Sequence, residues 1–226
     1  MLPRFRRLLK LFHPEAIPWL ATPFYNAFSG SEIFQRHYEL VARDILSYRP
    51  VGSILDIGTG PGWLLVKLHR LSPALHLVGL DISASMVAQA SKNLANLGLA
   101  GVITVKEGTA SQLPFVAESF DTIVSTGSLH HWKDPLAGLN EIYRVLKPEG
   151  YAIIYDVVRD TPDSILEQAS REFGRLRLTL LWLHAFTEPF YSREDLTSLA
   201  NASRFRKGLT RFAGVLCGLV LQKTTA

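Results

Sequence analysis

The chain has 226 residues, 47% hydrophobic and 19% charged, which is typical of a soluble globular protein with one sizeable core. Its net charge of +4 is modest, and the basic residues form no long tract or RNA-binding signature, so nucleic-acid binding is disfavoured. The single cysteine, Cys217, excludes an internal disulfide and a cysteine-rich metal site. The longest apolar run near the C-terminus, residues 212–221, is too short to span a bilayer, and we see no signal-peptide core. These features predict a cytoplasmic, single-domain protein.

Two segments precede the central region. The first ten residues place Arg4, Arg6, Arg7 and Lys10 among phenylalanine and leucine side chains. This pattern is typical of a helix on an anionic membrane surface, and equally of a terminal helix that packs on the protein with its basic face in solvent. Residues 14–48 also have a helical pattern. Its apolar positions include Tyr25, Phe28, Phe34 and Tyr38.

An apolar run from Val51 leads into three alternating glycines, Gly58, Gly60 and Gly62, before a helix. Glycine permits a positive φ and close approach of a ligand, and the helix directs unpaired N–H groups into the loop. A dinucleotide fingerprint, Gly-x-Gly-x-x-Gly, would require a glycine where this chain has Trp63. The bulk of Trp63 therefore disfavours a pyrophosphate and, with it, a nicotinamide-dependent oxidoreductase.

A second apolar run, residues 75–80, ends in Asp81, nineteen residues after Gly62. In a doubly wound sheet, an acidic residue at this place accepts hydrogen bonds from ribose hydroxyls. A ribose without a pyrophosphate fits S-adenosylmethionine. The sequence thus predicts that this cofactor binds between the glycine turn and Asp81.

The central region alternates strands and helices, which predicts a mostly parallel sheet with right-handed crossovers. One helix carries an apolar stripe from Leu64 to Leu71, and the next carries one that runs from Met86 to Leu97 and ends at Gly98. The strands are expected near residues 52–57, 75–81, 102–107, 120–126 and 151–157.

The fourth central helix has clear boundary signals. Asp134 can cap its N-terminus, Pro135 suits its first position, Leu146 faces inward and Pro148 ends it. Beyond the central region, residues 163–185 have a long helical pattern, and residues 204–223 have the pattern of two short strands.

Four ordered motifs resemble those of the class I S-adenosylmethionine-dependent methyltransferases of the small-molecule, ubiquinone/menaquinone-biosynthesis type. They are residues 54–62, 78–83, 113–124 and 145–150. The resemblance implies an α/β, Rossmann-like, doubly wound sheet of seven strands, mostly parallel, with an antiparallel C-terminal edge hairpin and a helical cap. It divides the single domain into a lid at 1–48, a cofactor-binding core at 50–157, a cap at 158–202 and C-terminal strands at 203–223.

The resemblance also implies roles for individual residues. Asp56 would help to hold the amino acid end of S-adenosylmethionine, and Asp81 would bind the ribose. Many relatives have an aspartate for the adenine where this chain has Thr109, whose hydroxyl makes a weaker acceptor than a carboxylate. The other expected cofactor-binding residues are Gly58, Thr59, Gly60, Gly62, Ile82, Met86, Gly108, Ala110, Ser125, Thr126 and, from the lid, Tyr25.

The segment from Ser128 to Trp132 contains His130 and His131 and follows the fourth strand, where such folds bind ligands. The ordinary pKa of histidine, about 6.5, suits a general base for a protonated acceptor, and His131 is the stronger candidate. A structural role in loop hydrogen bonding stays open for both. No cluster with zinc-like spacing accompanies them, so no metal is expected.

Missing motifs narrow the acceptor. The segment from Thr126 to Trp132 lacks the proline pair of enzymes that methylate nucleic-acid amino groups, and no cysteine follows the fourth strand as in the cytosine-C5 class. The expected function is therefore methyl transfer to an oxygen, nitrogen or carbon of a small organic molecule. A non-catalytic S-adenosylmethionine-binding or scaffold protein is the alternative. The oligomeric state is left open.

Overall fold

The computed structural model describes residues 20–174 and 190–224, which form a seven-stranded sheet flanked by helices. The strand order is β3-β2-β1-β4-β5-β7-β6. The strands are β1 (Ser53–Ile57), β2 (His76–Asp81), β3 (Thr104–Glu107), β4 (Phe120–Thr126), β5 (Leu146–Asp156), β6 (Leu209–Ala213) and β7 (Leu216–Gln222).

The chain direction in the sheet agrees with the prediction. β1 to β5 pair in parallel, whereas β7 is antiparallel to both β5 and β6, so the C-terminal hairpin supplies the reversed strand. The strand order reverses between β1 and β4, which makes this the topological switch point. Sheets of this type bind ligands outside the carboxyl ends of their strands at such a point.

The helices cover both faces of the sheet and separate its core into two apolar clusters. One cluster contains Leu64 and Ile45 from helices on one face, and the other contains Leu139 and Leu196 from helices on the opposite face. The helices in the described ranges are α1 (Thr22–Ser29), α2 (Glu32–Ser47), α3 (Trp63–Leu71), α4 (Ala84–Asn96), α5 (Pro135–Val145), α6 (Asp163–Phe173) and α7 (Arg193–Ala202).

The predicted end of the fourth central helix was wrong, although its start is confirmed. Asp134 caps α5 by accepting a hydrogen bond from the Ala137 N–H at 2.9 Å. The helix ends at Val145, and Leu146 begins β5 by pairing with Phe120. Strand pairing thus ends the helix before Pro148 is reached.

Two other helix predictions need correction. Leu97, expected on the apolar stripe of α4, lies just after the helix and is 40% exposed. The pattern over 163–185 is not one continuous helix, because Gly174 takes a φ of 85° and ends α6 at Phe173. The rest of that pattern and the basic N-terminal segment lie outside the described residues. Within the described ranges, no helix combines the length and hydropathy needed to cross a membrane.

Candidate cofactor and acceptor site

The glycine turn joins the end of β1 to α3. Gly58, Gly60 and Gly62 have φ angles of 74°, 52° and 82°, in the left-handed region that favours glycine. The N–H groups of Gly58 and Thr59 both donate to the carbonyl of Leu80 on β2, at 2.7 and 3.0 Å. The turn is therefore fixed to the neighbouring strand before any ligand binds.

Asp81 ends β2 and lies beside this turn. Its Oδ2 accepts a hydrogen bond from the Gly60 N–H at 2.8 Å, and its Oδ1 accepts one from the Ser83 N–H at 2.9 Å. The side chain is largely buried, and burial raises the pKa of Asp81, while these two N–H groups act in the opposite direction. The carboxylate therefore braces the turn and lines the adjoining cleft.

Asp56 is more deeply buried, with 1% of its surface exposed. Its Oδ2 accepts a hydrogen bond from the Thr59 hydroxyl at 2.8 Å, whereas Oδ1 has no partner among the described residues. Burial raises the pKa of Asp56 to about 7. An unpartnered carboxylate oxygen of this kind suits a cationic group, such as the ammonium of an amino acid.

A cleft that is partly open to solvent lies at the switch point. Eleven of the predicted site residues line it, whereas Asp56, Thr59, Gly62, Ser125 and His130 do not. The lining residues near the turn and β2 are Tyr25, Gly58, Gly60, Asp81, Ile82 and Met86. Those from the later loops are Gly108, Thr109, Ala110, Thr126 and His131. The sequence did not identify Ile57, Gly127, Ser128 and Trp132, which also line the cleft.

Two threonines add hydroxyl groups to the site. Thr109, where many relatives have an aspartate, places its Oγ1 at 3.1 Å from the Ser111 Oγ. Thr126 is the last residue of β4, and its buried hydroxyl has no partner among the described residues. Both side chains thus offer polar contacts to a ligand in the cleft.

A serine connects the loop after β4 to the glycine turn. The Ser128 hydroxyl lies 2.7 Å from the Ser125 hydroxyl and 3.3 Å from the Ile57 carbonyl, and it accepts a hydrogen bond from the Trp132 indole at 3.0 Å. A Cβ atom on Gly58 would lie only 2.5 Å from this serine side chain. The loop that carries the histidines is therefore packed directly against the glycine turn.

The two histidines differ in their surroundings. His131 lines the cleft. His130 is buried, and its Nδ1 lies 2.9 Å from both carboxylate oxygens of Asp156 at the end of β5. Sequence reasoning missed Asp156, although this residue ends an apolar strand just as Asp81 does.

Tyr25 of α1, in the segment expected to form a lid, lines the cleft. Burial raises the pKa of its hydroxyl to about 12, and the nearby charge of Asp81 adds to this effect. Two polar contacts join α1 to α4: the Thr22 and Ser85 hydroxyls are 2.9 Å apart, and Asn93 donates to Asn26 at 2.9 Å. Asn93 also donates to the carbonyl of Pro61 in the turn, at 2.9 Å.

The described residues contain no group of three side chains suited to a metal ion.

The central region of the chain is similar in sequence to known methyltransferases. Residues 55–154 match the family described as a methyltransferase domain. The ubiquinone/menaquinone biosynthesis C-methyltransferase UbiE of Geotalea daltonii is 33% identical over 122 residues, which are 54% of this chain and 51% of that protein. A chloroplastic 2-methyl-6-phytyl-1,4-hydroquinone methyltransferase of Oryza sativa is 33% identical over 48% of this chain and 30% of its own length. The chain thus spans about half or less of these curated relatives.

The fold extends further than the sequence similarity. The structure of a candidate S-adenosyl-L-methionine-dependent methyltransferase from Methanococcus maripaludis superimposes with a TM-score of 0.70 at 22% identity. The alignment covers 92% of this chain and 94% of that one, so the likeness includes the helices outside the matched domain. Residues 55–154 are thus similar in sequence to a methyltransferase domain, and the chain has the fold of an S-adenosylmethionine-dependent methyltransferase.

Proposed function

We propose that the protein transfers a methyl group from S-adenosylmethionine to a small, neutral organic acceptor. The observation that carries this proposal is one cleft at the switch point, which brings the glycine turn and Asp81 together with His131. The first two suit a ribose without a pyrophosphate, and a histidine in the same cleft suits a base for the acceptor.

The chemistry of the cleft favours an uncharged, cyclic acceptor. The described residues that line it include no lysine or arginine, so no cation in the lining would balance a phosphate or carboxylate on the acceptor. Ile57, Met86 and Trp132 supply apolar surface. The names of the two curated relatives point to quinone-type substrates, and a hydroquinone ring fits this combination of apolar wall and proton acceptor.

S-adenosylmethionine supplies an electrophilic methyl group on a sulfonium sulfur. With a hydroquinone acceptor, His131 would take the proton of a ring hydroxyl and so make a neighbouring ring carbon nucleophilic toward this methyl group. Once the ring carbon is methylated, its proton would pass to solvent and His131 would return its own proton to the ring oxygen, which restores the aromatic hydroquinone. Orientation and exclusion of water account for much of the rate of such a transfer.

Cofactor choice tests the proposal most directly. The purified chain is expected to bind S-adenosylmethionine and S-adenosylhomocysteine but not NAD, because Trp63 occupies the position of the third dinucleotide glycine. Isothermal calorimetry with each ligand measures this. Binding of NAD without binding of S-adenosylhomocysteine would overturn the assignment, and cofactor binding without methyl transfer to any pool of small acceptors would favour the non-catalytic alternative.

Asp56 predicts a pH dependence of binding. Its pKa of about 7 means that the carboxyl group is largely protonated at pH 6 in the free protein. The ammonium group of S-adenosylhomocysteine beside Oδ1 favours the ionised form, so binding releases a proton below pH 7. Affinity should therefore rise with pH by up to about tenfold per unit, and level off above pH 7.

Calorimetry between pH 5.5 and 8, in buffers of different ionisation enthalpy, measures both the affinity and the proton release. Asp56→Asn is the matched control, because it keeps a carbonyl oxygen for the Thr59 hydroxyl but cannot titrate. A flat profile for the unmodified protein would show that Asp56 does not face the cofactor.

The proposed function also includes closure of an N-terminal lid, formed by α1, over the cleft. The interpretation of α1 as a lid predicts that bound S-adenosylhomocysteine slows amide exchange across Thr22–Ser29, since Tyr25 lines the cleft from this helix. Hydrogen-exchange mass spectrometry measures it, with the buried strand β7 as the internal reference. Equal protection of α1 in both states would make Tyr25 an ordinary packing residue.

A further inference from the structure

Asp156 is a buried carboxylate to which neither the sequence motifs nor the proposed reaction gives a role. It is the last residue of β5 and is 1% exposed. Its Oδ1 accepts a hydrogen bond from the Val157 N–H at 2.9 Å, and its Oδ2 accepts one from the His130 N–H at 3.0 Å. Both oxygens also lie 2.9 Å from the Nδ1 of His130.

This arrangement fixes the ring of His130. Two backbone N–H groups donate to this carboxylate, and a carboxylate offers only acceptors, so we assign the proton of the His130 ring to Nδ1, on the side of Asp156. The ring is also held between two others. Its centroid is 4.0 Å from that of His131 and 4.7 Å from that of Phe190, which it meets edge-on.

The two histidine rings occupy different positions relative to the cleft. His131 lines the cleft, whereas His130 does not and is only 7% exposed. The His131 ring packs against the His130 ring. The buried carboxylate of Asp156 in turn fixes the His130 ring. A side chain at the edge of a partly open cleft gains a defined orientation from such a contact.

We propose that Asp156 and His130 are positioning residues for His131. The carboxylate fixes the proton and the plane of His130, and this ring sets the orientation of His131 toward an acceptor that must lose a proton. The inference rests on the proposed function for its catalytic meaning, but its structural content can be measured in the free protein.

Two variants separate the parts of this arrangement. Asp156→Asn replaces one carboxylate oxygen by an amide NH₂ group. In one orientation of the amide this donor faces the N–H of Val157, and in the other it faces the N–H of His130, so one of the two donors loses its acceptor. His130→Asn keeps an amide donor close to the position of Nδ1 but removes the ring against His131. The matched control is Asp160→Asn, because Asp160 is a half-buried carboxylate four residues away that pairs with Arg193 instead.

Nitrogen-15 NMR of the histidine rings is the deciding measurement, because it needs neither cofactor nor acceptor. We expect a protonated Nδ1 for His130 in the unmodified protein and in Asp160→Asn. In Asp156→Asn this signal should be lost, and the ring resonances of His131 should shift. If the signals of His131 are the same in Asp156→Asn and Asp160→Asn, the proposal is wrong.

Turnover with methylhydroquinone as the probe acceptor gives a second readout. In Asp156→Asn and His130→Asn, kcat should fall about 10- to 100-fold while KM changes little, because the acceptor still binds beside a misplaced base. Affinity for S-adenosylhomocysteine should stay within about twofold, which separates a positioning role from general unfolding. If thermal unfolding shows that Asp156→Asn does not fold, His130→Asn decides, and unaltered His131 signals in that variant overturn the proposal.

A protein that binds no S-adenosylhomocysteine would contradict the proposed function and leave the NMR result standing. Conversely, normal cofactor binding and methyl transfer, together with unaltered His131 signals in the variants, would contradict the positioning role alone.

Discussion

Replacement of Asp81 by alanine is expected to weaken the binding of S-adenosylhomocysteine at least tenfold. The change removes the proposed acceptor of the ribose hydroxyls, and it also removes the partner of the Gly60 and Ser83 N–H groups. Hydrogen bonds to a charged acceptor contribute about 1.5–3 kcal/mol, which corresponds to roughly 10- to 150-fold in affinity. Calorimetric titration measures the loss.

Two companion variants identify the source of this effect. Asp81→Asn keeps one carbonyl oxygen for a backbone donor, so its affinity should lie between those of the unmodified protein and Asp81→Ala. Asp160→Ala removes a half-buried carboxylate outside the cleft and should bind normally. Unchanged affinity in Asp81→Ala would mean that the ribose lies elsewhere.

His131→Ala is expected to reduce turnover by about a hundred- to ten-thousandfold, the usual contribution of a general base. Affinity for S-adenosylmethionine should change little, because the glycine turn and Asp81 are left intact. For an acceptor that is already a good nucleophile, such as a thiolate, the loss should shrink to a modest positioning effect. Single-turnover kinetics with calorimetry separate the chemical step from binding.

The control for this experiment is His76→Ala, which removes an exposed histidine at the start of β2, at the opposite end of that strand from Asp81. This variant should keep full activity. Full activity in His131→Ala, under conditions in which chemistry limits the rate, would remove His131 from the reaction. So would a complex in which its ring points away from the sulfur of the cofactor.

Local patterns sufficed to predict the parallel strands of the sheet and the two elements, the glycine turn and Asp81, that line one side of the cleft. The glycine turn and Asp81 are each defined by the residues that follow one apolar strand, so their places are fixed once that strand is identified. The same holds for the N-terminus of α5, where Asp134 and Pro135 act within one helical turn. The edge hairpin required two short apolar runs and the resemblance to the family.

The acceptor side depends on contacts between distant parts of the chain, which a single sequence does not reveal. His130 and Asp156 are 26 positions apart, and the Ser128 hydroxyl approaches the carbonyl of Ile57 across 71 positions. Periodicity identifies the strand that ends at Asp156 but not the neighbour of its carboxylate. Likewise, the pairing of Leu146 with Phe120 overrides the helical pattern because strand pairing is a tertiary interaction.

The contact between Gly58 and Ser128 has a consequence for the engineering of this protein. Ser128 occupies the space that a side chain at position 58 would need, so only glycine fits there. The absence of a side chain at Gly58 allows the glycine turn and the loop after β4 to pack together. The indole N–H of Trp132, a residue that lines the cleft, donates a hydrogen bond to the Ser128 hydroxyl. A substitution at Trp132 will therefore also act on the glycine turn, through Ser128. Productive variants must be sought as combinations across both loops.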